Sequence, residues 1–370
     1  MHRVLLLGAG KIGRMIAALL SDAGDYDVLV GDVDDGRLAR VGDRARVSTL
    51  RVDASTRASV EAVLDGRSVL ISALSYRFNV PLAEIARAAG VSYFDLTEDV
   101  ETARRIRAIA AGARPGQIFM PQCGLAPGFV AILAYHLTKS FDRLDSVRMR
   151  VGALPRFPSN ALRYNLTWST DGLINEYCNP CEAIRGGRRV ELPPLENLEH
   201  FWLDGVQYEA FNTSGGAGSL VDTLDGKVRE LDYKTIRHPG HRDLMSFLVN
   251  DLRLGERRDL LKDVLERAIP VTFQDVVVVF CTVSGWRRGQ FVQIGDSRTL
   301  RSDTLLGESW SAIQISTAAS VCAAVDLALE GRLPERGFVR QEQIALDDFL
   351  ANRFGRRYGG GSRPPEVKAA

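Results

Sequence analysis

The chain has 370 residues, of which 45% are hydrophobic and 25% charged, the composition of a globular protein with a sizeable core. Because domains average about 150 residues, this length predicts two domains. Lysine and arginine (47 residues) balance aspartate and glutamate (46 residues), which leaves a net charge of +1. We therefore expect no nucleic-acid partner and no membrane partner, since both bind a clustered basic surface.

Targeting and metal-binding signals are weak. The longest apolar runs fall short of the about 18 residues that a membrane-spanning helix requires, and MHRVLLLGAG is interpreted as a buried strand rather than a signal peptide. Five cysteines without regular spacing do not predict a disulfide framework. Cys178 and Cys181 form a CxxC, but no second ligand pair follows at zinc-finger spacing. We expect a cytoplasmic protein without a metal site.

The N-terminus carries the clearest motif. Residues 3–7, RVLLL, are typical of a parallel strand buried on both faces, and GAGKIG follows directly, before an amphipathic helical stretch that stops at Gly24. In this context Gly8 permits a tight turn, Gly10 lets the backbone approach a pyrophosphate, and Gly13 allows close packing of helix on strand. The helix N-terminus at Lys11 and Ile12 then presents free N–H groups to the phosphates, which predicts a dinucleotide site.

A second strand, YDVLVGD, ends at Asp32. A carboxylate at this position accepts the ribose hydroxyls and repels a 2′-phosphate, so it favours NAD and makes NADP the less favoured cofactor, although Arg37 and Arg40 follow closely.

Strands and helices continue to alternate up to QIFMPQCG, which predicts a Rossmann-type, doubly wound parallel sheet of the α/β class. Asp53 and Ala54, after the third strand, are expected on the adenine side, with a helix N-cap as the equal alternative for Asp53. Ala73 and Leu74, after the fourth strand, are expected to line the cofactor.

The regular alternation fails after Gly128, and longer strands with polar loops predict an α+β substrate domain over residues 125–310. The stretch FQDVVVVFCTVSGW is expected to continue as a hairpin into GQFVQIGD. An alanine-rich helix then returns the chain, so the NAD-binding domain comprises residues 1–124 with 311–357. Residues 358–370 have the composition of a disordered tail.

Several ordered stretches together resemble the saccharopine dehydrogenase family, which includes lysine 6-dehydrogenases. They are GAGKIG, ALSYRFN (73–79), CGLAPGFVAILA (123–134), GALPRFPSNALRYNLTWSTDGLINEY (152–177), EAFNTSGGAGSL and LDYKTIRHPGH. Ala126 in GLAPG is similar to lysine 6-dehydrogenases, whereas Arg163 with Trp168 and Ser169 looks more like saccharopine dehydrogenases. The resemblance implies a homodimer, with the apolar strand DVVVVFCTV as a candidate interface.

The resemblance also implies hydride transfer from a carbon that bears an amine. An alkyl amine, with a pKa of about 10.4, is protonated at neutral pH, so a general base is required. The catalytic candidates are Tyr76, Asp95 and His241, with capping of the next helix as the alternative for Asp95. Tyr76 and Asp95 follow strands at their carboxyl ends, where ligands of doubly wound sheets bind.

Substrate carboxylates favour planar, bidentate cations, which selects Arg163 and Arg237, with Lys234 as a point charge. A surface salt bridge is the alternative for each arginine. Hydrogen bonds from further polar side chains complete the expected substrate site: Asn165, Thr213, Ser214 and His238.

We consider saccharopine dehydrogenase first, with cleavage to glutamate and 2-aminoadipate 6-semialdehyde. Lysine 6-dehydrogenase is second, a carboxynorspermidine enzyme third, and a non-catalytic NAD-binding sensor represents another class.

Overall fold

The computed structural model describes residues 1–359 and the backbone of residues 367 and 368. Contacts divide the chain into two compact units. Unit 1 comprises Met1–Gly128, Leu305–Glu308 and Gln314–Arg357, and unit 2 comprises Phe129–Thr304, Ser309–Ile313 and the residues from Tyr358 onward.

The elements up to residue 120 all belong to unit 1. They are β1 (His2–Leu7), α1 (Lys11–Ala23), β2 (Tyr26–Asp32), α2 (Asp35–Ala39), β3 (Val47–Arg51), α3 (Arg57–Leu64), β4 (Val69–Ser72), α4 (Asn79–Ala89), β5 (Ser92–Asp95), α5 (Val100–Ala110) and β6 (Ile118–Met120).

The next elements are α6 (Phe129–Thr138), β7 (Arg143–Pro155), α7 (Thr170–Cys178), β8 (Cys181–Arg185), β9 (Arg188–Leu192), β10 (Glu199–Leu203), β11 (Val206–Asn212), α8 (Leu220–Leu224), β12 (Glu230–Arg237), α9 (His241–Ser246), α10 (Arg258–Ala268), β13 (Asp275–Arg287), β14 (Gln290–Arg301), β15 (Asp303–Leu305) and β16 (Glu308–Trp310). The chain ends with α11 (Ala312–Leu329), β17 (Gly337–Phe338), α12 (Leu346–Ala351) and β18 (Val367–Lys368). Single turns of 3₁₀ or π helix lie at Tyr76–Phe78, Phe247–Asp251, Leu254–Glu256, Gln341–Gln343 and Gly355–Tyr358.

Unit 1 contains a seven-stranded sheet with the order β17-β6-β5-β4-β1-β2-β3, and every pairing is parallel. The direction of winding reverses between β1 and β4, and ligands of such sheets bind at the carboxyl ends of the strands beside that reversal. The predicted doubly wound fold is confirmed.

Local sequence explains these elements. The last four residues of β1 are buried because helices cover both faces of a doubly wound sheet. Helix α1 ends at Gly24, whose φ of 82° is a left-handed conformation that suits glycine. Helix α4 begins at Asn79 and contains Pro81 in its first turn, where proline is tolerated.

Unit 2 contains a nine-stranded mixed sheet in which β10-β11-β12-β7-β13-β14-β18 are neighbours and β8 and β9 branch from β12. Among the described strands of this second sheet, only β12 and β7 pair in parallel. One cluster of buried side chains joins α7, β11, α9 and α10, including Tyr177, Phe211, Met245 and Leu261.

The predicted hairpin between β13 and β14 is confirmed, with Arg288 and Gly289 at φ values of 52° and 77° in a two-residue turn. Strand β13 lies between β7 and β14, so it is a central strand rather than a free edge. Most of its valines are buried in the fold, and its part in a homodimer interface stays a prediction.

Helix α11 has 18 residues and a mean hydropathy of 1.6, long and apolar enough to cross a membrane by length and composition alone. This corrects the expectation that no apolar run reaches that length. Since 83% of the helix is buried within the fold, its composition is that of a core helix.

The predicted disordered tail, residues 358–370, includes residues that are packed or paired in the structure. Tyr358 is buried, and its ring stacks on Phe129 with centroids 3.9 Å apart. The backbone of Val367 and Lys368 pairs with β14. The remaining positions of the predicted tail, 360–366 and 369–370, lie outside the described residues.

Candidate functional site

The turn between β1 and α1 has the geometry of a dinucleotide-binding loop. Gly8 has a φ of 107°, and an added Cβ would lie 2.7 Å from the carbonyl oxygen of Ala73. A Cβ on Gly13 would lie 1.8 Å from the carbonyl oxygen of Gly8, so only glycine lets α1 pack this closely on β1. By contrast, nothing lies within 4 Å of a Cβ on Gly10. The space beside Gly10 is therefore open to a ligand.

The N-terminus of α1 is prepared for an anion. No side chain caps the helix at Gly10, and its first turn contains no acidic residue. The predicted contacts Lys11 and Ile12 lie in this first turn, at the positive end of the helix dipole, where a helix N-terminus attracts anions. These features fit a pyrophosphate.

Asp32 is fixed at the end of β2 beside the same turn. Its Oδ2 accepts the N–H of Ala9 at 2.8 Å, and its Oδ1 accepts the N–H of Asp34 at 3.0 Å. The carboxylate is buried. Each oxygen retains a lone pair that can accept a ribose hydroxyl, so the residue fits the predicted role.

Asp53 closes a local turn after β3. Its carboxylate accepts the N–H and the hydroxyl of Ser55 at 2.9 and 2.6 Å, and these bonds hold the pKa of Asp53 below its ordinary value. Thr56, not Asp53, occupies the N-cap position of α3, which corrects the capping alternative. The neighbouring Ala54 is half-buried against the core, so the adenine-side role of this pair stays a prediction.

The segment after β4 lies beside the glycine turn. Ala73 donates its N–H to the Leu7 carbonyl at 2.8 Å, and the Leu74 side chain would lie 3.2 Å from a Cβ on Gly8. Both residues are only half-buried, which fits the predicted role in lining the cofactor. Tyr76 follows in a single 3₁₀ turn and is also half-buried.

Asp95 lies entirely below the surface, with 0% exposure. Its Oδ1 accepts the N–H groups of Thr97 and Gln122, both at 3.0 Å, and its Oδ2 accepts the Tyr93 hydroxyl at 2.9 Å. Burial raises the pKa of Asp95 to about 6. Asp95 thus bonds the segments that follow β5 and β6. Because none of its side chain is exposed in this structure, it cannot contact a substrate there, as a general base must. It also does not cap α5, whose N-cap is Asp99.

In unit 2, Arg237, Tyr177 and His241 form a buried chain of hydrogen bonds. Arg237 Nε donates to the Tyr177 hydroxyl at 2.9 Å, and that hydroxyl lies 2.9 Å from His241 Nε2. His241 Nδ1 lies 2.8 Å from the Leu162 carbonyl, which can only accept, so Nδ1 carries the proton and Nε2 accepts from Tyr177.

The protonation states agree with this direction of bonding. Burial raises the pKa of Tyr177, so the hydroxyl keeps its proton. Burial, reinforced by the charge of Arg237, lowers the pKa of His241 to about 3, so the imidazole is neutral. With 0% exposure and both ring nitrogens bonded, His241 positions Arg237 and does not contact a substrate, which corrects its predicted catalytic role.

Glu176 and Tyr164 complete this cluster, and the sequence interpretation missed both of them as well as Tyr177. Glu176 Oε2 lies 3.9 Å from Arg237 Nη2, and the Tyr164 ring lies 5.0 Å from Arg237 Cζ. The available signal was the charged Glu176 directly before Tyr177 in the segment LINEYC of helix α7. A buried carboxylate needs a partner, and that requirement pointed to a buried cation.

Lys234 belongs to a different environment. It lies three positions from Arg237 on β12, so the two side chains point to opposite faces of the sheet. Its Nζ donates to the Asn197 carbonyl at 2.6 Å and to Glu199 at 2.8 Å. Arg150 bonds the same Glu199 carboxylate. The structure thus separates Lys234 from Arg237, which corrects the predicted grouping.

Arg163 and His238 lie at the margin of the cluster. Arg163 is exposed and has a left-handed φ of 50°. His238 Nε2 donates to the Pro155 carbonyl at 3.0 Å, and its ring stacks on Tyr208. Burial, together with the charge of Arg163, lowers the pKa of His238. The structure does not bring Arg163 into the buried group around Arg237.

Three further predicted residues are buried. Ser214 is satisfied, because its hydroxyl donates to the Pro180 carbonyl at 2.8 Å and its N–H to the Glu176 carbonyl at 2.9 Å. Asn165 Oδ1 and Thr213 Oγ1 are buried without a hydrogen-bond partner among the described residues. Buried polar atoms of this kind are uncommon and often await a ligand or water.

Metal ligands are not grouped in the described part of the chain, where no three His, Cys, Asp or Glu side chains could hold an ion together. Cys178 and Cys181 are free thiols, and burial raises the pKa of both.

Comparison with known families accounts for nearly the whole chain. Residues 4–115 match the saccharopine dehydrogenase NADP binding domain, and residues 124–356 match the saccharopine dehydrogenase C-terminal domain. The chain belongs to the saccharopine dehydrogenase family. This family consists of nicotinamide-dependent oxidoreductases, and the match to its NADP binding domain spans the glycine turn and Asp32 of unit 1.

Individual relatives are distant. The apo saccharopine dehydrogenase (L-Glu forming) of Saccharomyces cerevisiae is 17% identical, with full coverage of both chains and a TM-score of 0.75, which shows a shared fold. The mitochondrial alpha-aminoadipic semialdehyde synthase of Rattus norvegicus is 20% identical over 197 residues, which are 51% of this chain and 21% of the rat protein. The chain therefore spans about one fifth of that curated relative.

Proposed function

We propose that this family member is an NAD-dependent oxidoreductase acting on a C–N bond of a lysine-pathway amino acid, with saccharopine as its substrate. The reaction converts saccharopine, NAD⁺ and water to glutamate, 2-aminoadipate 6-semialdehyde, NADH and a proton. The similarity to a yeast enzyme whose name describes it as L-Glu forming supports this choice of products.

The buried guanidinium of Arg237 is the observation that carries the proposal. The chain from His241 through Tyr177 fixes its Nε, and its Nη1 donates to the Ile236 carbonyl at 2.8 Å. Its Nη2 has no hydrogen bond to any described residue. A desolvated, oriented guanidinium edge of this kind suits a substrate carboxylate.

NAD is the proposed cofactor because the charges near Asp32 disfavour a 2′-phosphate. Two nearby arginines that would attract this phosphate are already paired, Arg37 with Asp34 and Arg51 with Asp35. The bound nicotinamide supplies the hydride acceptor. The backbone of the glycine turn would hold the pyrophosphate of the dinucleotide, and Asp32 would hold the hydroxyls of its ribose.

We assign proton transfer from the substrate nitrogen to Tyr76, whose phenolate form accepts the proton and becomes the neutral phenol. The hydride leaves only when the nitrogen lone pair is free, so the protein must accept a proton there. Of the three catalytic candidates, Asp95 and His241 are fully buried and bonded, whereas Tyr76 is half-buried at the carboxyl end of β4. Its position fits a group that reaches a ligand.

L-Lysine is the second candidate substrate, with oxidative deamination of its side-chain amine. It is favoured by the separation of Arg163 from Arg237, since a single buried arginine matches the single carboxylate of lysine better than the three of saccharopine. Ala126 in the GLAPG turn, which is similar to lysine 6-dehydrogenases, also favours lysine as the substrate.

The decisive experiment incubates the full-length protein with NAD or NADP and with saccharopine or L-lysine, and records the absorbance of reduced nicotinamide. We expect faster turnover of saccharopine, with NAD preferred. Preferential turnover of lysine would select the second candidate. Binding of NADH without turnover of either amino acid would refute the enzyme proposal and favour an NAD-binding sensor.

A further inference from the structure

The side chain of Tyr233 on β12 is buried, yet its hydroxyl forms no hydrogen bond to any described residue. Buried tyrosines normally find a partner for this group. The hydroxyls of Tyr26, Tyr93 and Tyr177 in this structure are all hydrogen-bonded. Burial raises the pKa of Tyr233 well above its ordinary value, so the phenol is neutral. Tyr233 therefore holds a proton that it can donate to a ligand.

The backbone of Gly216 fixes the position of the Tyr233 ring. A Cβ on Gly216 would lie 2.2 Å from both Cε1 and Cζ of the ring, and Cζ is the carbon that bears the hydroxyl. Gly216 is not among the glycines with a positive φ, so its missing side chain makes room for the ring and is not required by the backbone conformation. The hydroxyl is thus held in one place before a ligand arrives, which lowers the entropic cost of binding.

Tyr233 shares a sheet face with Arg237. The two residues are four positions apart on β12, and alternate residues of a strand point to the same side. The charge of Arg237 acts on Tyr233, where it opposes the effect of burial on the pKa. Tyr233 and Arg237 are 5% and 3% exposed, whereas His241 is 0% exposed. Unlike His241, both residues therefore keep some surface that a ligand can contact.

Two further polar atoms without partners lie beside these side chains. Thr213 directly follows β11, and continuing the register of β11 on β12 by one pair places it opposite Tyr233. Asn165 follows Tyr164, whose ring lies 5.0 Å from Arg237 Cζ. Thr213 Oγ1 and Asn165 Oδ1 are both buried without a hydrogen-bond partner among the described residues. Such atoms are uncommon in a purely structural cluster, and together with the Tyr233 hydroxyl they indicate a polar ligand.

We propose that the Tyr233 hydroxyl donates a hydrogen bond to a carboxylate oxygen of the amino-acid substrate, which makes Tyr233 a substrate-binding residue. This inference rests on the proposed function and adds to it a residue that the sequence did not single out. A phenol provides a donor without placing a second positive charge beside Arg237. Saccharopine and lysine both contain a carboxylate, so the inference holds for either substrate.

The test is Tyr233→Phe, which removes the hydroxyl and keeps the ring that packs on Gly216. The full-length protein is titrated calorimetrically with saccharopine and with L-lysine, in the presence of NADH so that no oxidation occurs. For the amino acid that the wild type binds more tightly, we expect about 10- to 100-fold weaker affinity, the effect of losing one hydrogen bond to a charged group. The midpoint of urea unfolding should stay the same or rise, because the free protein loses no hydrogen bond.

Two matched variants control for the loss of a tyrosine hydroxyl. Tyr208 packs with Ile236 in a separate cluster, on the opposite face of the sheet from Tyr233, so Tyr208→Phe should leave both affinities unchanged. Tyr177→Phe removes a hydroxyl that is bonded to Arg237 and His241, so it should lower the midpoint of urea unfolding. The difference in midpoint between Tyr177→Phe and Tyr233→Phe distinguishes a hydroxyl that is bonded in the free protein from one that is not.

Several results would overturn the inference. They are wild-type affinity in Tyr233→Phe, an equal loss of affinity in Tyr208→Phe, and failure of the wild type to bind either amino acid. A lower urea midpoint in Tyr233→Phe would also overturn it, because the hydroxyl would then be bonded within the free protein.

Failure of the proposed function is distinguishable from failure of this inference. Weaker binding in Tyr233→Phe, without turnover of either amino acid by the wild type, would leave the inference standing and remove the proposed reaction. NAD-dependent turnover with the same KM in the wild type and in Tyr233→Phe would do the opposite.

Discussion

Gly10, at the end of the β1–α1 turn, and Gly13, in the first turn of α1, have opposite surroundings, and alanine substitution at each should have opposite consequences. In Gly13→Ala, the new Cβ would lie 1.8 Å from the carbonyl oxygen of Gly8, a contact with backbone that no side-chain rotation relieves. Helix α1 must then move away from β1. Overpacking of this kind costs about 1–3 kcal/mol of the free energy of unfolding.

In Gly10→Ala, the new Cβ meets nothing within 4 Å, and the φ of −73° is available to alanine. The free energy of unfolding should fall by about 1 kcal/mol or less, the cost of alanine at an N-cap. The Cβ would, however, occupy the space through which the pyrophosphate approaches the backbone. Loss of a charge-assisted hydrogen bond there is worth about 1.5–3 kcal/mol, or about 10- to 100-fold in the Kd for NADH.

The assay pairs urea unfolding, followed by circular dichroism, with calorimetric titration of NADH on both variants. We expect Gly10→Ala to lose affinity with little loss of stability, and Gly13→Ala to lose stability. Wild-type affinity in Gly10→Ala would show that the pyrophosphate does not bind at this turn. Equal stability of the two variants would refute the packing argument for Gly13.

Three further substitutions test single charges. Asp32→Ala should weaken NAD binding more than NADP binding in calorimetric titrations, and equal losses would contradict its ribose role. Arg237→Lys should raise the KM for the amino-acid substrate by removing a bidentate contact, and unchanged kinetics would place the side chain outside the site. Asp275 accepts the N–H groups of Ala312 and Ile313 at the start of α11, and burial raises its pKa from 3.8 to about 6. The native protein therefore binds the Asp275 proton more tightly than the unfolded chain does. The contribution of this proton to the free energy of unfolding is complete below pH 3.8 and is lost as the pH rises to about 6. Relative to Asp275→Asn, which still caps the helix, the wild type should lose up to about 3 kcal/mol of its free energy of unfolding across this pH range, as measured by urea unfolding. A difference between the two proteins that stays constant with pH would contradict this expectation.

The sequence predicted the architecture of unit 1 well because its signals are local. Strand and helix periodicity, the spacing of Gly8, Gly10 and Gly13, and an acidic residue at the end of β2 all lie within the first 32 residues. Each of these features acts on backbone conformation or on the next element of the chain. The order and spacing of these residues along the chain were therefore sufficient to predict a dinucleotide site.

Residue type was less informative about the second unit. Arg237, Lys234 and Arg163 are all cations in family-like motifs, yet the first is buried in a polar cluster, the second is bonded on the opposite sheet face, and the third is exposed. The same holds for His241 in unit 2 and for Asp95 in unit 1, which have suitable chemistry for catalysis but no exposed surface.

By itself, the sequence determined the doubly wound fold, the glycine turn and the presence of a second α+β unit, because hydrophobic period and backbone freedom are properties of neighbouring residues. Only the tertiary structure decided which polar side chains meet. Glu176 and Tyr177 on α7 reach Arg237 on β12 across about 60 positions, and their contact depends on strand pairing and on the sheet face to which each side chain points. That packing determines which side chains are buried and which charges pair, and no local sequence pattern predicts it.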